Sequence, residues 1–393
     1  MAVTEDEGQR RPPAPRSGAL AALTQAALAL PIVLIAARAQ AAQVGEMGIT
    51  LLGYKERGLM KVTEPVLWGH ALIADVWEVQ ASAAVDIVTG ASPQLVSNVS
   101  GHPVQSVTGA SINDRRKTWD TKVGRHFGDV TLSASTTRSD EEDYHSKAYG
   151  LEAVWDLDQK RTTLTAAYGR ANDRVGSSID PSLDQPRHTN EFLLGVTQIL
   201  TPLSQVQAAL TVARGSGWYN DPYKLTVTVY TDGTPPALVP DTRPDHRNTV
   251  SLLARYRRHF PGTEGTLQAD YRYFGDDWGI RAHTLEVGWE QGLGERWSLR
   301  PALRYYTQEA ADFYGAVIPE SRPAVFSSDQ RLGTFGGLTP SLRLTYRAQS
   351  GWRIEGTAGY VQDAASLHLG GGGSEAFSTL RAVYGIVTVS HSF

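Results

Sequence analysis

The chain has 393 residues, no cysteine and a formal net charge of −4, which excludes a disulfide framework, a thiolate nucleophile and a Cys-ligated zinc site and gives no reason to expect a nucleic-acid partner. With 38 Gly, 16 Tyr and 9 Trp against only 41% hydrophobic residues, it is too polar for a multi-span helical membrane protein and rich in turn formers and interfacial aromatics.

Residues 1–42 read as a cleaved signal peptide. Arg10, Arg11 and Arg16 precede an uncharged Ala/Leu-rich run from Gly18 to Ala37, and small-residue cleavage sites follow at 37–41. A retained inner-membrane helix is the alternative, because the run is about long enough to span; Gln25, Pro31 and the excess of Ala over Leu and Ile weigh against it. Residues 43–393 are then one exported domain.

From residue 47 onward the chain alternates with the two-residue period of β-strands. Strands are predicted at 47–55, 60–73, 76–90, 114–127, 129–139, 144–156, 161–172, 188–200, 203–215, 246–259, 264–275, 279–291, 296–308, 328–347, 352–363 and 376–393. Pro65 and Pro301 fall inside this map, where a missing N–H costs a ladder bond. Each strand carries one apolar face, bounded by aromatics such as Trp155, Tyr168, Trp289, Trp297, Trp352 and Tyr360, and one polar face. Tight turns alternate with long connections near 91–113, 173–187, 216–245 and 310–327. That asymmetry predicts a transmembrane antiparallel β-barrel of about sixteen strands, with fourteen as the alternative, short turns in the periplasm and long loops outside.

The closing strand ends on Phe393, which shares its parity with Val383, Val387 and Val389. A terminal strand of this kind resembles those of Gram-negative outer-membrane barrels, whose final aromatic is read by the barrel-insertion machinery. Seven motifs also lie along the chain: DIVTGASP (86–93), INDR (112–115), SDEEDYHS (139–146), RPDHR (243–247), YRYFGDDWGIRAHT (271–284), RYYTQEAADFY (304–314) and SSDQRL (327–332). Together they resemble an uncharacterised bacterial family of outer-membrane β-barrels, catalogued as a domain of unknown function. The resemblance implies the barrel, no established activity, and an exported partner protein in a redox or metal context.

On this map the motifs gather at the extracellular mouth. Asp140, Glu141, Glu142 and Asp143 with His145, and Asp276 and Asp277 with His283, are rich in carboxylate oxygens. Asp140, Glu141, Asp143, Asp276 and Asp277 are therefore candidate ligands for a divalent cation such as Ca²⁺, or for bridging lipopolysaccharide. The plainer reading is that acidic turn residues solvate the outer hairpins. His283 shares the parity of Leu285, Val287 and Trp289 and is expected to face lipid near the headgroups. No Ser is paired with it and no GxSxG motif occurs, so the chain is not read as an enzyme. The Gly370–Gly373 run is a flexible outer loop with no P-loop context.

The polar faces place Asp86, Glu152, Asp270, Arg272, Glu286, Glu290, Arg300, Arg304, Arg343, Arg353 and Glu355 along the lumen. Two outcomes stay open for them: a hydrated pore with a transverse field, or a plug of paired charges. The functional expectation is a porin-like scaffold for small polar or ionic solutes, and the alternative is a non-conducting barrel that holds an exported partner.

Overall fold

The computed structural model describes residues 45–90, 93–99, 102–107, 112–228, 237–317 and 323–393, so the expected leader lies outside the described residues. In chain order the strands are β1 (Gly45–Glu56), β2 (Met60–Ile73), β3 (Trp77–Gly90), β4 (Pro93–Val99), β5 (His102–Val107), β6 (Ile112–Phe127), β7 (Val130–Asp140), β8 (Tyr144–Leu157), β9 (Thr162–Gly176) and β10 (Asp184–Thr201). They continue with β11 (Ser204–Gly217), β12 (Leu225–Thr228), β13 (Ala237–Pro240), β14 (His246–Phe260), β15 (Gly265–Asp276), β16 (Arg281–Leu293), β17 (Trp297–Gln308), β18 (Phe335–Arg347), β19 (Trp352–Ala364) and β20 (Leu380–Ser392).

Sixteen of these strands form one closed antiparallel barrel in sequence order, the count expected from the alternation. β20 returns to β1 in a register running from Glu46↔Ser392 to Glu56↔Ala382, and Gly45 and Phe393 exchange backbone hydrogen bonds of 3.1 and 3.0 Å. Both strand ends therefore lie on the side of the tight turns. The other four strands form two hairpins, β4–β5 and β12–β13, carried by the long connections; β4 lies beside β12.

Closure requires one face of every strand to look outward, and the apolar parity does so. Ile49, Leu67, Leu151, Leu194, Leu303 and Val387 are all about half exposed or more, which in a membrane-type barrel is contact with hydrocarbon rather than water. Trp77, Phe127, Trp155, Trp297 and Trp352 ring this band on the turn side, and Trp119, Tyr149, Tyr168 and Phe192 border it on the loop side.

The prolines are accommodated by local gaps in the ladder. Pro65 keeps its pairing with Leu51 of β1, while the β2–β3 ladder skips from Thr63↔Ile87 to Val66↔Ala84. Pro301 likewise pairs with Leu342 of β18, and the β16–β17 ladder skips from Gly288↔Ala302 to Gln291↔Leu299. In both cases the absent N–H falls on the skipped side, and the register resumes unchanged.

Two expected strands begin later than the alternation indicates. The segment predicted to enter a strand at 328 instead forms a 3-10 turn at Gln330–Leu332, N-capped by Asp329, and β18 starts at Phe335. The last strand starts at Leu380 rather than 376, because Ala376 and Phe377 are buried in the loop-side assembly, where Phe377 stacks on Phe335 at 4.5 Å.

Candidate functional site at the loop-side mouth

The β11–β14 connection and the β17–β18 connection meet across the mouth. An isolated antiparallel bridge joins Thr242 to Phe326, with reciprocal backbone bonds of 3.1 and 2.9 Å. This contact brings RPDHR and SSDQRL together although they are more than eighty residues apart in sequence.

A charge cluster forms around the bridge. Arg243 donates to Asp241 (3.0 and 2.5 Å) and to Asp329 (3.0 Å), and Arg331 donates to Asp329 (2.9 and 2.7 Å) and to Asp221 (2.7 Å). Ser327 Oγ donates to Asp241 (3.0 Å) and accepts from the Asp329 backbone N–H (3.1 Å). Lys224 completes the set, nine-tenths buried, with its backbone carbonyl accepting from Asp241 N at 3.1 Å. Three acids face three bases, so the cluster is neutral overall. The side chains of Asp241 and Asp329 are 0% and 1% exposed.

Burial at this depth penalises charge, and the two aspartates answer it differently. Burial would raise the Asp329 carboxyl, but Arg331, Lys224 and Arg243 hold it well below the usual carboxylate range. Burial dominates at Asp241 and pushes it up, with Arg243 opposing. Burial also lowers the Lys224 ammonium, against the pull of Asp329.

A second cluster adjoins the first and is apolar. Trp278, Ile280, Ala311 and Leu332 are buried together, with Tyr219, Phe274, Phe313 and Tyr314 around them. Trp278 donates from its indole N–H to the His246 carbonyl at 2.8 Å, meets Phe313 edge-on at 5.2 Å, and lies under the Arg247 guanidinium at 4.4 Å. Arg247 is itself clamped by Asp276 at 2.8 and 2.6 Å. Gly279 is required beside Trp278: its φ is +90°, and a Cβ there would meet Asp312 Oδ1 at 2.3 Å.

The same connection is anchored to the acidic hairpin. Tyr223 hydroxyl bonds Asp143 and lies 2.8 Å from the Ser178 backbone N–H, which donates to it. Burial, then the Asp143 hydrogen bond, pushes this phenol up to about 12. Arg187 donates to Tyr144 (2.8 Å) and Asp173 (3.0 Å) and lies over the Tyr219 ring at 5.5 Å. Five motifs thus act as fasteners of one loop assembly.

The five acids expected to hold a cation are not brought together. Asp140 pairs with Arg138 (2.6 Å) and His145 (3.2 Å), Glu141 lies 4.0 Å from Arg116, Asp143 bonds Tyr223, Asp276 clamps Arg247, and Asp277 accepts from Asn248 (2.9 and 2.7 Å). Among the described residues no group of three or more His, Asp or Glu converges on a metal-sized site. His283 accepts or donates a 2.7 Å hydrogen bond with the Tyr271 hydroxyl on the outward face. The glycine-rich loop turns with positive φ at Gly370, Gly371 and Gly372, and the segment before it straps the outer wall, where Leu369 N donates to Thr307 (3.0 Å) and Tyr305 donates to the Leu367 carbonyl (2.8 Å).

The predicted polar faces pair across the wall, between adjacent strands or over one intervening strand. Arg116 bonds Asp86 (2.6 Å), Lys122 bonds Glu152 (2.6 Å), Arg257 bonds Asp270 (3.0 Å), and Arg300 bridges Glu286 and Gln268 (2.9 Å each). Ser298 donates to Glu290 (3.0 Å), Arg272 to Ser251 (2.9 Å), Arg343 lies 3.5 Å from Glu355, and Arg353 donates to Glu46 (3.1 Å). Arg304 alternates with outward Leu303 and Tyr305, and the Arg257, Lys122 and Ser298 partners had no distinguishing signal beyond parity. Hydration differs along the wall. On the loop side Tyr54, Met60, Val62 and Val88 are buried in one cluster, whereas Arg343, Arg353 and Arg347 on the turn side keep 41%, 37% and 53% exposure.

A family profile described as "Protein of unknown function (DUF3570)" matches residues 20–186 and 177–383. Among solved structures the chain is similar to "Bacterial polysaccharide outer membrane secretin" (TM-score 0.50, 9% identity, covering 90% of this chain and 100% of that one). It is also similar to "CdiB from Acinetobacter baumannii" (TM-score 0.52, 8% identity, 90% of this chain and 61% of that one). At such identities the likeness is one of fold, an outer-membrane-type β-barrel. No curated protein matches the chain.

Proposed function

We propose, since the chain belongs to the DUF3570 family and folds as an outer-membrane-type barrel, that it is a non-enzymatic outer-membrane passage for small polar or ionic solutes, constricted at its mouth by its own loops. The observation that carries this is the contrast between the two ends: Arg343, Arg347 and Arg353 remain exposed at the turn side, while Asp241 and Asp329 at the centre of the loop-side cluster are buried. About sixteen strands enclose more volume than side chains alone fill, and paired charges on the wall favour ions and polar solutes over apolar ones. In this reading residues 1–42 are removed on export, Phe393 presents the closing strand to the insertion machinery, and both strand ends lie in the periplasm with the long loops outside.

The fastening of the mouth loops also favours a second reading, a non-conducting barrel whose periplasm-facing cavity holds an exported partner. Liposome swelling separates the two. Proteoliposomes of the folded chain should admit small sugars and amino acids and exclude larger oligosaccharides; no swelling with any solute, together with a protein retained on pull-down, selects the second reading.

A further inference from the structure

The outward wall on the loop side is not evenly charged. At the β20–β1–β2 seam Arg381, Lys55, Arg57 and Lys61 are all exposed; Lys55 is paired in register with Lys61, and Arg57 N donates to the Arg381 carbonyl at 3.0 Å. None of these four side chains has an acidic partner among the described residues. Arg57 and Arg381 flank a small cleft at the rim that Glu56, Leu59, Thr379 and Leu380 also line, the two leucines packing inward on the cluster of Tyr54, Met60, Val62 and Val88. The next strands continue the pattern with exposed Arg115 and Lys117 on β6, Lys147 on β8 and Arg170 on β9. Arg138 and Arg174 belong to the same face but are paired with Asp140 and Asp184.

The opposite half differs. There the outward cations Arg214 and Arg281 are accompanied by exposed Asp245, Asp277 and Glu309, whereas along the belt exposed Glu142 and the paired Asp140 and Asp184 stand against the larger set of cations. The height of the cationic belt is set by the strands themselves. Lys117 is two residues beyond outward Trp119, and Lys147 two residues beyond outward Tyr149, so each lysine Cα is one pleat repeat, roughly 7 Å, past the aromatic edge of the apolar band. That is headgroup level, which long Lys and Arg side chains reach from the wall.

We infer that this belt, from β20 through β9, is a binding surface for phosphorylated lipid headgroups, the phosphates of lipid A in the leaflet on the loop side. Phosphate monoesters need several cations at once, and the unpaired seam and β6–β9 groups supply them, with guanidinium forks at Arg57, Arg381, Arg115 and Arg170 suited to bidentate contact. The inference rests on the outer-membrane reading with the loops outside, and it makes the barrel's lipid contacts one-sided.

Native mass spectrometry of the full chain in detergent tests it, with bisphosphorylated lipid A, its dephosphorylated form and inorganic phosphate as separate probes. The wild type should retain bisphosphorylated lipid A in preference to the other two. The variant R57Q/K61Q/R115Q/K117Q should bind it at least about a hundredfold more weakly, while R214Q/R281Q on the opposite half keeps wild-type binding. The smaller variant R57Q/R381Q serves should the fourfold one lose its heat-modifiable folded band. Equal binding of both lipid forms, equal occupancy by inorganic phosphate, or unchanged binding by a folded belt variant overturns the inference. Fractionation of the same preparations keeps the two proposals apart: absence from the outer membrane fails the location, whereas lost lipid preference in a correctly located barrel fails only the belt.

Discussion

Asp329 is the residue on which the mouth assembly turns. It accepts from both Arg243 and Arg331 and caps the 3-10 turn through the Arg331 N–H at 3.1 Å. Removing its charge takes the shared counter-ion from the largely buried Arg243 and the partly buried Arg331, and breaking a pair around a buried carboxylate in this way costs about 3–5 kcal/mol. Asp329→Asn should therefore open the loop assembly to limited proteolysis while the barrel keeps its heat-modifiable band; unchanged protease resistance would show that the cluster does not hold the loops. The pH dependence follows from the same group. A carboxyl held below its ordinary value contributes stability that is present above about pH 4 and fades as the pH falls further below it. Protease resistance of the loops should accordingly be level from neutral pH down to about 5 and decline below about 4. Asp241, pushed up by burial, works in the opposite sense, so acid relieves its own cost while removing the contribution of Asp329. Little of this was legible in the sequence. SSDQRL stood out as a motif, but its alternation reads equally well as the start of a strand, and only the bridge to Thr242 reveals that Asp329 belongs to a buried network.

At the scale of elements, the barrel strands were legible almost to their ends, because a one-sided hydrocarbon environment imposes a strict two-residue period. That period gives a direct test on one strand. Val387 is 51% exposed on the outward face, and its neighbour Thr388 faces in and shares a 2.9 Å hydroxyl contact with Thr50. Val387→Lys should destabilise the folded barrel by about 2–4 kcal/mol near the midplane, and Thr388→Lys by much less, as read from urea unfolding in bilayers. Equal effects at the two sites would mean that neither face meets lipid. The loops were less legible because their chemistry depends on which connections meet. Acidic hairpins look alike whether they bind a cation or fasten to a base; here Asp143 bonds a tyrosine, and Asp140 and Asp276 pair with arginines of the mouth region. The aromatic fastener has its own expectation. Trp278→Ala removes a side chain that is 2% exposed, at a cost of about 3–5 kcal/mol to the loop assembly, and should increase hydrogen exchange in the β15–β16 connection without altering exchange in β1 and β20.

At the scale of the whole molecule, two chemistries divide the interior. Among the described residues the turn-side half carries charges that are paired across strands and still exposed, and the loop-side half is fastened by a neutral charge cluster with buried aspartates and by a tryptophan-centred core. In the proposed reading, a barrel with a charged wall and a fastened mouth is a constricted pore whose conductance the fastening sets. Single-channel recording of the wild type and Asp329→Asn in planar bilayers tests this most directly. The account predicts small, stable ionic steps from the wild type and larger or more frequently open ones from the variant; folded protein that conducts in neither form would contradict it.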